Sequence, residues 1–407
     1  MPRSEMGFLE KVFREKSSYK ALLLSLLLSA IGYGLYKGVI DNYLAEVVRM
    51  GEMDRGVTEF FRELPGLLLV LVLAVFYRFS AEKMYKMGML IMVAGMIMQA
   101  VVNPVRALVV AAIFIYSLGE HIQLGMRHTL SLEYAQENKG GQALGYQSAV
   151  YQIGNLVGYI AVIAALAAVS GRVIFKQVFV AAAVLFFLAM CAGMRLKGNS
   201  RTDENRRRFY FRPKFRKYYM LEVFYGARKQ VFFTFGPYVL ILFYGAKASV
   251  ISLLFAVSAI ACFLLSPVVG RLIDRVGYKA VMIADTLILI IVCFFYGFAH
   301  HIFSMHTAFI ICCVNYVLDS VISLASMASN VYVQDISDNA EEKRATISTG
   351  ISVNHLITVL IALLGGWIWK TLGVETLFML SAFLGICNSI YAATIKTRKQ
   401  LENDKTS

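Results

Sequence analysis

Apolar residues fall along this chain in long unbroken runs, separated by short charged turns. Each run holds about twenty or more residues, enough to cross a bilayer as a helix. Spans are expected near 19–47, 57–77, 84–102, 105–133, 144–168 and 173–194. A second set is expected near 218–244, 247–269, 280–301, 304–333, 345–369 and 372–395. Hydrocarbon cannot satisfy a bare backbone, so helices are the natural way for such runs to cross it. The pattern therefore predicts an all-α membrane protein with about twelve transmembrane helices.

One hydrophilic stretch interrupts the series. Residues 195–217 hold Lys197, Arg201, Arg206, Arg207, Arg208, Arg212, Lys214, Arg216 and Lys217. This basic linker divides the chain into six-helix bundles at 19–194 and 218–395, with tails at 1–18 and 396–407. The halves echo one another: Asp41-Asn42-Tyr43-Leu44 sits where Gly236-Pro237-Tyr238-Val239 sits in its half, and Glu137-Asn138 and Asp338-Asn339 follow spans 4 and 10.

Composition agrees. Hydrophobic residues make up 58% and charged residues 16% of the 407 residues, with a mean hydropathy of +0.63. Soluble chains carry about a quarter charged residues. The net charge of +14 would suit nucleic acid, but Lys and Arg concentrate in the tails, the linker and alternate loops, as membrane topology requires. No nucleic-acid partner is expected. The same bias places both termini in the cytoplasm and the linker near anionic lipid headgroups. The six cysteines all lie in apolar runs without Cys-x-x-Cys spacing, and read as buried thiols. Met1 to Lys20 reads as a cytoplasmic tail rather than a removable leader. With the compact loops, this points to the cytoplasmic membrane of a bacterial or archaeal cell.

The most informative turn is Gly270-Arg271-Leu272-Ile273-Asp274-Arg275-Val276-Gly277-Tyr278-Lys279. Gly270 is expected to end span 8, Asp274 to accept from amides of the next helix or from a cation, and the basic residues to mark the cytoplasmic face. The turn resembles the signature loop of the major facilitator superfamily, Gly-x-Leu-x-Asp-Arg-x-Gly-x-Lys/Arg. That resemblance implies two pseudo-symmetric six-helix bundles with a binding site near the midplane between them. It also gives Gly270, Asp274, Arg275, Gly277 and Lys279 the role of a gating loop. The first half lacks a good copy: Arg78-Phe-Ser-Ala-Glu82-Lys83-Met-Tyr-Lys86 has neither the glycines nor the aspartate.

Charges at membrane depth are costly and need a reason. Spans 3, 6, 9 and 12 are almost free of them at mid-helix. Span 1 carries Lys37 and Asp41, span 4 Glu120 and His121, span 7 Arg228 and Lys229, and span 10 Asn315 and Asp319. Spans 5 and 11 add Gln152, Asn155, Asn354 and His355. The resemblance implies that spans 1, 4, 7 and 10 line a central cavity, so these twelve residues are the candidate substrate and coupling set. Lys37 and Asp41 are four apart and should pair. His121 occupies the slot, four residues before Gly125, where the superfamily often has Arg. Either Glu120 or His121 suits a coupling proton, or the two simply bond to each other. One of Arg228 and Lys229 should face inward, where Asp319 would pair with it across the halves. Arg62-Glu63-Leu64-Pro65-Gly66, at the start of span 2, reads as a local structure without assigned chemistry. His300, His301 and His306 read as solvated loop residues.

A metal site assembled from Glu120, His121, Asp319 and His355 has no supporting spacing, and Lys37 and Arg228 would repel the ion. Neither a metal nor a cofactor is expected. Phosphate-binding loops, nucleophile elbows and zinc-protease helices are absent, so the chain does not read as an enzyme or an ATP-driven pump. The expected function is secondary active transport, by alternating access, of a small polar organic solute bearing an anionic group, coupled to protons. The expected partners are that solute, protons and membrane lipids, around a monomer. Gly154-Asn155 replaces the Gly-Pro common in the superfamily's drug antiporters, which weakens an exporter reading. Alternatives are proton-coupled efflux of amphipathic compounds, metal-ion export, or a non-transporting lipid-handling or sensory protein on the same fold.

Overall fold

The computed structural model describes residues 12–13, 16–76, 79–136, 139–169, 173–197, 211–397 and 400. Most of the N-terminal tail, most of the basic linker, Arg78, the Glu137-Asn138 pair and most of the C-terminal tail lie outside these residues. In chain order the long helices are α1 (Lys16–Asn42), α2 (Glu52–Val75), α3 (Ala81–Val101), α4 (Arg106–Glu133), α5 (Gly140–Ala168) and α6 (Val173–Gly193). The second series is α7 (Arg216–Leu242), α8 (Ala248–Val276), α9 (Tyr278–Ile302), α10 (Met305–Ile336), α11 (Ala340–Leu372) and α12 (Val374–Ala393). α1 continues into a π turn at Tyr43–Val47, and a 3-10 turn at Ser323–Ser326 divides α10. Among the described residues, 10 helices are long and apolar enough to cross a membrane. α2 and α7 fall outside that set. α2 carries Glu52, Asp54, Arg55, Glu59, Arg62 and Glu63, and α7 carries Arg216, Lys217, Glu222, Arg228 and Lys229.

The chain forms two compact units. Unit 1 comprises Met1–Val48, Leu68–Arg206 and Ala248–Ala256; unit 2 comprises Arg49–Leu67, Arg207–Lys247 and Val257–Ser407. Within unit 1, α1 packs on α5 and α6, while α3 packs on α4 and α6. Within unit 2, α7 packs on α11 and α12, and α9 packs on α10 and α12. Advancing α1, α3, α4, α5 and α6 by six converts the first of these packing plans into the second.

Local sequence explains the ends. Side-chain oxygens of Ser80, Ser304 and Asn339 accept from the amides of Lys83, Thr307 and Glu342, capping α3, α10 and α11. Asp54 accepts from Gly51 N at 3.1 Å, and Glu52, Asp54 and Arg55 open α2 ahead of the start near 57 expected for span 2. This corrects the position of Arg62 and Glu63, which lie in the interior of α2.

The turn between α8 and α9 also differs from expectation. Gly270 does not end α8; the helix runs on to Val276. Gly277 alone makes the turn at φ +86°, a region costly for a residue with a Cβ. Asp274 and Arg275 are exposed on the last helical turn. Lys279 Nζ donates to the Ile395 carbonyl at 3.3 Å and the Tyr278 hydroxyl to the Lys396 carbonyl at 2.7 Å, tying α9 to the end of α12. At the described end of the linker, Arg212 and Lys214 reach Glu342 at 3.3 Å, and Lys214 reaches Asp338 at 2.8 Å. Those two basic residues therefore have carboxylate partners within unit 2.

Candidate functional site: buried charges in each unit

In unit 1, Lys37 Nζ donates to Asp41 Oδ2 at 2.9 Å, as their spacing predicts. Asp41 is 1% exposed, and the Lys37 ammonium lies 5.1 Å from the Phe255 ring centroid. One turn before Lys37, α1 crosses α5 backbone to backbone. A Cβ on Gly158 would come 2.7 Å from Gly34 Cα, so only glycine permits the crossing. Asn155, beside it, is buried and donates Nδ2 to Gln152 Oε1 at 3.5 Å; Gln152 is exposed.

The neighbours Glu120 and His121 have different surroundings. His121 is buried, with Nδ1 2.9 Å from the Ser117 carbonyl and 3.1 Å from its hydroxyl. Glu120 is half-buried and acts electrostatically on Tyr116, Tyr151 and Tyr159. The Arg127 guanidinium lies 4.0 Å from the Tyr151 ring centroid, a cation–π contact. Tyr33 and Tyr36 extend this aromatic wall toward Tyr151 and Tyr116, with ring centroids 6.3 and 4.9 Å apart.

In unit 2, Arg228 is buried and Lys229 exposed, because adjacent residues point about 100° apart on a helix. Arg228 Nη2 meets Asp285 Oδ2 at 2.5 Å, and its guanidinium lies 4.8 Å from the Tyr225 ring. Its Nη1 has no acceptor among the described residues. Asp319, on α10, is buried within electrostatic range of Arg228, Lys229 and Asp285. This corrects two expectations. α7 and α10 both belong to unit 2, so Asp319 does not approach Arg228 across the halves. Nor is span 9 free of charge: its Asp285 is the direct partner. A lone aspartate in so apolar a helix barely lowers the apolar signal. Asn315, one turn before Asp319, donates to the Ile311 carbonyl at 2.9 Å, within its own helix.

A second buried set centres on α2, also within unit 2. Arg55 Nη1 meets Glu59 Oε2 at 2.8 Å, and Arg62 Nη2 meets Glu59 Oε1 at 2.6 Å and also bonds Glu63. Gln230 Nε2 donates to Glu59 Oε1 at 3.2 Å. His355 Nδ1 lies 3.0 Å from Glu63 Oε2, and the Thr358 hydroxyl 3.5 Å from the same oxygen. Two guanidiniums balance two carboxylates, and their bonds offset part of the burial cost. Sequence reasoning placed His355 in the site but missed Arg55, Glu59, Arg62 and Glu63. The signal was present: positions 55, 59, 62 and 63 share one helical face.

The last candidate, Asn354, points Nδ2 at the Glu222 carboxylate at 3.4 Å, and Ser329 donates to the same carboxylate at 2.8 Å. Glu222 is a further, half-buried network member not singled out from sequence. His300 and His301 are not simply solvated. They occupy the last turn of α9 and approach Glu375 at 3.3 and 2.8 Å.

Residues 218–407 match the family model described as Major Facilitator Superfamily. The structure resembles that of a point mutant of the nucleoside transporter NupG, with a TM-score of 0.74 and 15% identity, covering 94% of this chain and 100% of that one. It resembles the D-xylose-proton symporter at 0.72 and 13%, covering 94% and 98%. A POT family transporter in complex with 5-aminolevulinic acid gives 0.72 and 11%, covering 91% and 94%. No curated protein matches the chain significantly by sequence. The family match covers just under half of the chain and includes the Gly270–Lys279 turn, and the fold along the whole chain is similar to that of these transporters.

Proposed function

We propose that the protein is a secondary active transporter that moves a small polar organic solute bearing an anionic group, by alternating access, coupled to protons. The observation that carries this reading is Arg228. It is a buried guanidinium with one carboxylate at 2.5 Å and one nitrogen, Nη1, lacking an acceptor among the described residues. A planar fork with spare donors suits a carboxylate or phosphate on a solute. Such a group competes with Asp285 for Arg228, and Lys229 adds positive charge on the adjoining face. Lys37 is the corresponding cation of unit 1. Of the solutes named for proteins of this fold, 5-aminolevulinic acid bears a carboxylate and starts the screen, with nucleosides and D-xylose as uncharged comparisons.

Proton coupling rests on titratable groups inside the helices. Glu63 and His355 share a direct contact on α2 and α11, and Asp319 sits within electrostatic range of Arg228, whose direct ion pair is with Asp285. Asp41 and Glu120 are the unit 1 candidates. Gly270, Asp274, Arg275, Gly277 and Lys279 act as the gating turn. In this reading the protein works as a monomer in the cytoplasmic membrane, its termini inside.

A thermal-shift screen of polar solutes on the purified protein, followed by counterflow of each hit in proteoliposomes, tests transport. Transport of a hit that ignores an imposed pH gradient would remove the coupling. R228Q should weaken binding of an anionic hit at least tenfold. Unchanged affinity would remove Arg228 from the site, and hits confined to apolar amphiphiles would favour an efflux pump.

A further inference from the structure

We propose a divalent transition-metal site at the end of unit 2 where α9 meets α12, formed by His300, His301 and Glu375. It stands apart from the charged clusters and does not depend on the transport reading. His300 Nε2 lies 3.3 Å and His301 Nε2 2.8 Å from Glu375 Oε1, and the three ligand atoms all fall within 4.8 Å of one another. Four ligands around a metal at 2.0–2.1 Å sit about 3.3 Å apart. One edge of the triangle already has that length. Another needs only a few tenths of an ångström, the difference between a hydrogen bond and a shared metal. Two imidazoles and one carboxylate form a borderline set suited to Zn²⁺, Co²⁺ or Ni²⁺ and poor for Mg²⁺ or Ca²⁺.

The surrounding backbone brings these groups together. A Cβ on Gly297, one turn before His301, would lie 3.3 Å from Glu375 Cα, so glycine lets α9 approach the first turn of α12. Gly373 makes the turn into α12 at φ +93°, and a Cβ there would stand 2.6 Å from Glu375 Oε2. The ring of His300 is largely covered and packs on Phe243 at 4.6 Å between centroids, which orients its nitrogen. The His301 side chain is 56% exposed, which leaves the fourth coordination position open to water. Three protein ligands with one open position describe an exchangeable site rather than a closed structural one. Bound metal would clasp the C-terminal end of α9 to the N-terminal end of α12.

Tag-free full-length protein in detergent is titrated with ZnCl2 by calorimetry and with Co²⁺ by visible absorption. The expected result is one ion per chain, a Co²⁺ spectrum of low-symmetry nitrogen and oxygen coordination, and a Zn²⁺-dependent rise in melting temperature. H301N and E375Q should each weaken Zn²⁺ binding at least tenfold. H301N alters the most exposed ligand and should leave metal-free melting close to that of the parent. Absence of a one-to-one isotherm overturns the site, and so does equal affinity in H301N and E375Q to that of the parent.

Discussion

Glu63 Oε2 and His355 Nδ1 are 3.0 Å apart. The contact joins α2 to α11 across 292 positions of sequence and brings a titratable base onto a carboxylate already held by Arg62. Removing the carboxylate leaves both Arg62 and His355 without that partner. Arg62 keeps Glu59 at 2.6 Å, so E63A should destabilise unit 2 by roughly 1–3 kcal/mol, the cost of leaving buried donors short of an acceptor. H355A should cost less, since Arg62 remains. A double-mutant cycle on thermal unfolding in detergent should return a coupling of about 0.5–3 kcal/mol. Additive effects would mean that the contact contributes no energy of its own.

The Arg228–Asp285 pair makes a similar prediction with an internal control. R228A leaves Asp285 buried without its cation and should cost about 3–5 kcal/mol, while R228A with D285A should recover much of the loss. Unfolding curves of the two variants side by side check this. If the double variant is no better than the single one, the charge pair is not the source of the loss.

Three glycines should respond differently. Gly34 faces the backbone of α5, so G34V should cost at least about 1–3 kcal/mol through overpacking. Gly277 holds a positive φ, and G277A should cost about 1–2 kcal/mol. At Gly270 an added Cβ meets nothing within 4 Å and the backbone is helical. G270A should therefore be neutral or stabilising by up to about 1 kcal/mol. The order of melting temperatures among these variants tests the revised turn directly. A G270A loss larger than that of G277A would restore Gly270 as the residue that ends α8.

Glu342 serves three partners at the start of α11: Arg212, Lys214 and the Asp338 amide, the last at 2.7 Å. E342A should loosen that end by about 1–3 kcal/mol. E342Q, which keeps an acceptor for the amide, should lose less. Limited proteolysis at the linker provides the readout: equal cleavage of both variants and the parent would show that these bonds do not hold the segment.

The apolar runs and the Gly270–Lys279 turn were legible, because each is a property of many residues or of one dense motif; the exchange of Arg49–Leu67 and Ala248–Ala256 between the two units was not. The Lys37–Asp41 pair was legible because i,i+4 spacing is local. Arg228–Asp285 was not, since the partner sits 57 positions away in a helix whose apolar average hides one carboxylate. The α2 cluster was missed for another reason. Its charges begin with Glu52 and Asp54, so they read as a wet loop, although the first-turn acids were opening a helix whose next turns are buried. His121 shows how local spacing can mislead about a partner. A histidine next to a glutamate suggests paired chemistry, yet a helix sends neighbours in different directions, and the Ser117 carbonyl stands where the ring can reach it.

The crossing of α1 and α5 at Gly34 and Gly158 has a mechanical consequence. No side chains cushion that contact, so neither helix can roll or slide without lifting one main chain off the other. Lys37 and Asp41 on α1 are thereby registered against Asn155 on α5, like marks on one ruler. Any displacement that carries one of these groups carries all three, and the spacing between them is set by the fold, not by whatever binds.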